Sequence, residues 1–276
     1  MFVVCGEALM DVFAVGETAH GVQLDARIGG SPFNVAIGLA RMGQPVGFFG
    51  GVSTGFLGER LLRALREEGV DVSCTPRSTA PTTLGLVGLD ANGVASYAFY
   101  GEGAADRVVG EAALEMLPAR ARAFHFGSFA TVVEPVASTQ RALVEREYQR
   151  SLISYDPNIR LNVEPDLQRW QDLLQWMLPR THLLKVSSED LELLFPGVAP
   201  ASLAQQWLER GVCLVVVTHG GEGAQAWTAG GVQAQALPPP VEVVDTVGAG
   251  DTYMAALLTW LAERDLAEDS YDDGGG

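Results

Sequence analysis

Val241 to Trp260 reads V-E-V-V-D-T-V-G-A-G-D-T-Y-M-A-A-L-L-T-W. A β-branched run gives way to a turn of small residues and then to an apolar helical pattern. Gly248, Ala249 and Gly250 carry no side chain large enough to hold a ligand away from the main chain. Their N–H groups would open a helix, where unpaired donors and the positive end of the dipole favour an anion. Asp251 stands at the mouth of this nest. A carboxylate there repels a phosphate, but it is well placed to take a proton from a hydroxyl that attacks one. The same residues also fit an ordinary helix cap, with Asp251 as a second capping side chain, so the rest of the chain bears on the choice.

Asp245-Thr246-Val247-Gly248-Ala249-Gly250-Asp251, followed by Ala255-Ala256-Leu257, resembles the C-terminal signature of the ribokinase-like (PfkB) carbohydrate kinases. The resemblance implies an α/β fold with a mostly parallel sheet covered by helices on both faces and a small β-sheet lid. It also implies that Asp251 is the catalytic base and that Gly248, Ala249 and Gly250 form the anion hole for the transferred phosphoryl group. The matching motifs run from Cys5 to Leu257, nearly the whole chain.

Composition agrees with a globular protein. The chain has 276 residues, 47% hydrophobic and 19% charged, enough for one large α/β domain with a real core. A net charge of −16 argues against nucleic acid or an anionic membrane as partner, while leaving room for a nucleotide in a local nest. Three scattered cysteines (Cys5, Cys74, Cys213) suggest neither a disulfide framework nor a zinc site and fit a reducing compartment. Without a basic leader or a long apolar run, the expected location is the cytoplasm.

Earlier segments supply the acceptor side. Phe2–Cys5 reads as a buried strand ending in Gly6, and Asp11 follows in G-E-A-L-M-D, which is similar to the fructokinase version of the family; the equivalent Asp contacts sugar hydroxyls there. Gly29-Gly30 before a helical pattern permits close backbone approach, and Asn34 offers a donor and an acceptor to a polyol. This segment resembles the family's N-terminal signature, with departures at Ser53, where a glycine is usual, and at Thr54 or Gly55, where an acid is usual. Phe56–Gly69 reads as an amphipathic helix with a glycine stop. Thr82–Leu89 and Ala95–Tyr100 read as a hairpin around Asp90-Ala-Asn92-Gly93, which with residues around 12–28 and 80–104 would form the lid. Phe99 would pack on the sugar. Sugar-acid kinases of the family carry Arg beside this aromatic pair; Gly101 stands there, so a neutral sugar is expected.

The remaining junctions supply the phosphate side. Ala123–Phe129 reads as a strand with His125 as a satisfied core residue, and Glu134–Arg150 as a polar helix. Asp156-Pro157-Asn158-Ile159-Arg160 after the strand Leu152–Tyr155 resembles the family's D-x-N-x-R. Asp156 and Asn158 would face magnesium-bound water, and Arg160 the acceptor. At Leu183–Asp190 the family's N-x-x-E is replaced by Ser187 and Asp190. By the resemblance Lys185 and Ser187 join the nucleotide and Asp190 a Mg2+ ion, with helix capping by Ser187 as the alternative. After the strand Cys213–Thr218, Thr218, Gly220 and Gly223 resemble the family's nucleotide loop; this is not a Walker loop, because G-K-S/T is missing. No G-x-G-x-x-G follows the first strand, which disfavours a dinucleotide-dependent oxidoreductase. A helical segment to Leu266 is followed by a polar, acidic tail at 267–276, where relatives continue with further helices.

The resemblance therefore implies a single domain over 1–276 that phosphorylates a sugar hydroxymethyl group with ATP and Mg2+, D-fructose being the expected acceptor. A K+ ion near Asp245–Thr246 and a homodimer through the lid are further implications. The alternatives are 2-keto-3-deoxygluconate or ribose as acceptor, or a sugar-binding protein with impaired catalysis if the C-terminus is truncated.

Overall fold

In this computed structural model, residues 1–89, 95–238 and 248–264 are described. In chain order the strands are β1 (Phe2–Cys5), β2 (Leu9–Thr18), β3 (Gly21–Gly29), β4 (Val46–Phe49), β5 (Val52–Ser53), β6 (Arg77–Ser78), β7 (Leu84–Leu89), β8 (Ala95–Tyr100), β9 (Ala123–Gly127), β10 (Leu152–Asp156), β11 (Leu183–Ser187), β12 (Leu214–Thr218), β13 (Ala224–Thr228) and β14 (Gln233–Ala236). The helices are α1 (Ser31–Arg41), α2 (Phe56–Glu67), α3 (Val136–Glu147), α4 (Leu167–Met177), α5 (Ser188–Leu194), α6 (Pro200–Leu208) and α7 (Ala249–Glu263).

The apolar runs pair as a sheet because each needs both faces covered. Eight strands lie in the order β14-β13-β12-β11-β10-β9-β1-β4. From β4 to β12 the neighbours are parallel, and β13 and β14 close one edge antiparallel. Alternation along β1 sends Phe2 and Val4 to one face and Val3 and Cys5 to the other. The first face is packed by Phe33 and Leu39 of α1, Leu61 and Leu65 of α2, and Met254 and Leu258 of α7. The second is packed by Leu143 of α3, Trp170 and Leu174 of α4, Leu191 of α5 and Trp207 of α6. Helix α7 lies so close to α1 that a Cβ at Gly38 would come within 2.7 Å of the Ala255 Cβ.

A second sheet has the order β3-β2-β7-β8 and occupies the segments expected for the lid. Several expected boundaries shift. The strand expected from Thr82 begins at Leu84, and the helix expected over Glu134–Arg150 is the shorter α3. The strand expected over Ala123–Phe129 stops at Gly127, because Ser128 takes a φ of 58° and Phe129–Thr131 form a 3-10 turn. The Asp90–Gly93 turn, the Val241–Val247 run with Asp245 and Thr246, and the tail at 267–276 lie outside the described residues.

Candidate active site

Parallel strands of an open sheet present their carboxyl ends to one crevice, where ligands bind in α/β folds. Glu7 after β1, Ser128 after β9, Asp156 at the end of β10, Ser187 at the end of β11 and Thr218 at the end of β12 all fall on that edge. The N-termini of α1 and α7 meet there as well.

Asp251 ties together the starts of those two helices. The Ser31 hydroxyl donates to its Oδ1 at 2.7 Å and the Asn34 amide to its Oδ2 at 2.9 Å. The side chain therefore does not cap its own helix. Gly248 holds the N-cap position in the left-handed region with a φ of 74°, and no side chain caps this end of α7. The N–H groups of the first turn have no intrahelical acceptor. Burial pushes the Asp251 carboxyl above the usual carboxylate range, helped by the Asp156 charge, while Asn34, Ser31 and Lys185 work against the rise. A carboxylate of raised basicity beside an open helix N-terminus is equipped to take a proton next to a bound anion.

Beneath the nest lies a buried ion pair. Lys185 Nζ donates to Asp156 Oδ2 at 2.8 Å, both side chains nearly inaccessible. The ammonium is 3.2 Å from where a Cβ at Gly250 would sit. Lys185 is thus not a free arm reaching for a nucleotide. It is a fixed charge beneath the N-terminus of α7. Asp156 keeps Oδ1 without a hydrogen-bond partner among the described residues. His125 only partly meets the expectation of a satisfied core residue. Its Nδ1 lies 3.1 Å from the Ser154 hydroxyl, but Nε2 has no partner among the described residues. Burial depresses its pKa to about 4 against the pull of Asp156, so the imidazole is neutral.

The acceptor-side residues also converge. A Cβ at Gly29 would overlap Asp11 Oδ2, and one at Gly85 would lie 3.0 Å from Asp11 Oδ1 and 3.2 Å from Phe99 Cε1. These two glycines leave the Asp11 carboxylate its room. Phe99 meets Phe129 edge to face, with centroids 6.2 Å apart. Gly30, at φ 109°, has its α-carbon hard against the Glu7 carbonyl, where a Cβ would be only 2.7 Å away. Arg160 acts electrostatically on Glu7, Asp11 and Asp190 together, linking the acceptor side to the phosphate side. The absence of a cation inferred from Gly101 needs correction. The Arg107 guanidinium fills the space beside Gly101, its Cζ 2.7 Å from the position a Cβ would take and 5.1 Å above the Phe129 ring.

At the next junction the capping alternative is realised for Ser187, whose hydroxyl accepts from Asp190 N at 3.1 Å. Asp190 Oδ1 in turn accepts from Ile159 N at 3.2 Å, tying this helix start to the D-x-N-x-R turn, where Asn158 takes a φ of 40°. Burial and then the Asp156 charge raise the Asp190 pKa to about 6. Loss of a cap of this kind costs about 1 kcal/mol. A Ser187→Ala variant should therefore lose about that much unfolding free energy in urea melts. An unchanged midpoint would show that the cap contributes nothing. Thr218 is partly buried at the end of β12, with Gly220 and Gly223 in the following turn at φ 54° and 99°.

Sequence reasoning passed over Ser31, Glu7 and Arg107. For Glu7 one signal was present: a single acid in the otherwise apolar run F-V-V-C-G-E-A-L-M.

A proton acceptor, an open helix N-terminus and a fixed cation beneath it, flanked by a polyol-sized set of polar groups, define a phosphoryl-transfer site. The chain belongs to the pfkB family of carbohydrate kinases, whose model matches residues 1–274. It is 38% identical over 269 residues to a fructokinase of Rhizobium leguminosarum bv. trifolii, covering 96% of this chain and 81% of the relative. Among solved structures it is similar to fructokinase with bound ATP from Xylella fastidiosa, at 26% identity and a TM-score of 0.84, over 99% of this chain and 86% of that one. It is also similar to a Vibrio cholerae fructokinase in a form bound to fructose, ADP and calcium ion, at 25% identity and a TM-score of 0.80, over 95% and 83%.

Proposed function

We propose that this chain transfers the γ-phosphoryl group of ATP to a hydroxymethyl group of D-fructose, giving fructose 6-phosphate. The observation that carries the reading is the Asp251 carboxylate, held by Ser31 and Asn34 beside the uncapped N-terminus of α7. Asp251 takes the hydroxyl proton as the oxygen attacks, and the N–H groups at Gly248–Gly250 receive the charge that develops on the phosphoryl oxygens. Asp11, Gly29, Gly30, Asn34, Phe99 and Arg160 seat the sugar; Thr218, Gly220 and Gly223 carry the nucleotide.

The donor set suits a divalent ion that keeps most of its water. Among the described residues no group of three or more Asp, Glu, His or Cys side chains is arranged to hold a metal ion by itself, but Asp156 has an unpartnered oxygen there and Asp190 is close enough to feel its charge. Mg2+ is commonly bound through one or two carboxylates with phosphates and water completing the shell. Asp156, Asp190 and Asn158 would hold it through water, and when bound it neutralises phosphate charge. A homodimer through the second sheet accords with Val15, Val22 and Leu24, each more than half exposed on the β2–β3 hairpin.

One observation favours a second acceptor class. Arg107 brings a guanidinium to Gly101, and two of its nitrogens, Nε and Nη2, have no acceptor among the described residues. A sugar acid is therefore the rival substrate. ADP release from Mg-ATP with fructose, ribose, 2-keto-3-deoxygluconate or adenosine separates them. Turnover with fructose and not with the acid is the expected result. Turnover with another acceptor would replace fructose, and none with any would overturn the kinase reading.

A further inference from the structure

Helix α1 starts without a side-chain cap, with Gly30 in the N-cap position. Serine at a helix start is a familiar cap, yet the Ser31 hydroxyl turns away from its own backbone, crosses to α7 and donates to Asp251 Oδ1 at 2.7 Å. Ser31 and Asp251 are each only 9% exposed. Asn34 lies three residues on, on the same face of α1, and its amide donates to Asp251 Oδ2 at 2.9 Å. Gly38, four residues further along that face, sets how near the helices come: a Cβ there would lie 2.7 Å from the Ala255 Cβ. Ala255 in turn lies one turn after Asp251 on α7. Ser31, Asn34 and Gly38 thus form one seam against Asp251 and Ala255, and this close approach brings two donors to one carboxylate. The two oxygens differ in outlook. Oδ2 is beside the nest, 3.8 Å from where a Cβ at Gly248 would sit, with Asn34 Nδ2 at 3.7 Å from the same point. A carboxylate oxygen accepts more than one hydrogen bond, so Oδ2 can keep Asn34 and still take a proton. Packing at position 31 calls for a small residue; it does not call for a donor.

Resting on the kinase reading, we propose that Ser31 is a positioning residue for the base, its hydroxyl pinning Asp251 Oδ1 so that Oδ2 stays turned toward the attacking hydroxyl. The torsion about the Asp Cβ–Cγ bond is soft. A single bond from Asn34 fixes one oxygen and leaves the carboxylate free to turn; the second bond, to the other oxygen, removes that freedom. In the step so arranged, the acceptor O–H bond breaks as its proton passes to Oδ2. The acceptor oxygen bonds to phosphorus, and ADP leaves with the electrons of the broken P–O bond. Ser31 touches none of the reacting atoms and acts through Asp251.

The test is Ser31→Ala, with Ser31→Cys and Ser31→Thr alongside, assayed by ADP release well below every melting midpoint. Ser31→Ala should lower kcat by about 10- to 100-fold, the scale of one hydrogen bond to a charged group. KM for the sugar, and nucleotide affinity measured by titration, should stay near the wild-type values. Ser31→Cys keeps the size but offers only a weak donor and should fall with Ala; Ser31→Thr restores a hydroxyl and should recover most of the rate. The acid limb of kcat should also move to higher pH in Ser31→Ala. Burial and the Asp156 charge hold the Asp251 carboxyl above its ordinary range against Asn34, Ser31 and Lys185, and the variant removes one of the opposing groups. In an Asp251→Asn background, Ser31→Ala should lower kcat no further, because the group it orients is gone. The same loss in both backgrounds would overturn the proposal, as would Ser31→Ala with the wild-type kcat and acid limb. If Ala prevents folding, a Cys variant with the wild-type rate overturns it equally. Loss of kcat in all three variants in step with a lower Tm would make Ser31 a packing residue and nothing more. A wild-type protein inactive toward every acceptor would remove the kinase reading and this proposal with it. An active wild type with an unaffected Ala variant would remove this proposal alone.

Discussion

Replacing Asp251 with Asn is expected to lower kcat by about 10²- to 10⁴-fold, the range that a positioned general base supplies, while nucleotide affinity barely changes. The variant should fold. Asp251 accepts one hydrogen bond from the Ser31 hydroxyl and one from the Asn34 amide. An asparagine can direct its oxygen to Asn34 and its NH2 to Ser31, whose hydroxyl rotates to become the acceptor. Stability at pH 8 should not fall either. Burial raises the Asp251 pKa in the folded state, so ionising it opposes folding as pH rises above the ordinary Asp range, and a neutral amide escapes that penalty. Nucleotide titration, ADP release and melting curves on one preparation separate these effects. A variant retaining the wild-type kcat would remove Asp251 from the base role, and a variant losing nucleotide binding would point to a collapsed nest. The wild-type rate should also decline on the acid side from a higher pH than an exposed aspartate would give.

The carboxyl-edge residues could be read from sequence because they end runs that are apolar at nearly every position. Leu152–Tyr155 and Leu214–Val217 can only be buried strands, and the residues just after such a strand in an α/β chain face the crevice. Strands β2 and β3 announced themselves poorly, since beyond Phe13 nearly every residue of the hairpin is exposed, and a strand without a buried face leaves little pattern. Glu7 shows in the sequence as one acid in an apolar run, but the burial that raises its pKa to about 7 belongs to the assembled fold. Gly101 misled for a related reason. A missing side chain reads as missing charge, yet the cavity it leaves is filled by Arg107, six residues on. His125 shows the opposite limit: its flanking phenylalanines gave its burial correctly, but only the cross-strand register with Ser154 shows which nitrogen is paired.

The same distinction between local and assembled meaning applies to Lys185, which a linear reading places on the nucleotide and the fold places against Asp156. Lys185→Met should lower the unfolding free energy by about 3–5 kcal/mol, as expected when one partner of a buried pair is removed and the other charge is left uncompensated. It should also reduce kcat by about 10²- to 10³-fold, the scale for losing a preorganised charge or donor at a developing anion. Burial alone would lower the Lys185 pKa, but Asp156, Asp251 and Asp190 outweigh it and leave the ammonium held above its ordinary range. The charge is therefore present at every pH at which the enzyme would work. A second substitution separates structure from catalysis. In Lys185→Met/Asp156→Asn the direct partner is no longer stranded, so most of the lost stability should return, as it does when buried ion pairs are replaced whole. Activity should not return, because the cation beneath Gly250 is still absent. Recovery of both in the double variant would make the pair a structural element alone. Recovery of stability without turnover would show that the pair serves catalysis as well as folding, Lys185 beneath the α7 nest and Asp156 on the Mg2+ side.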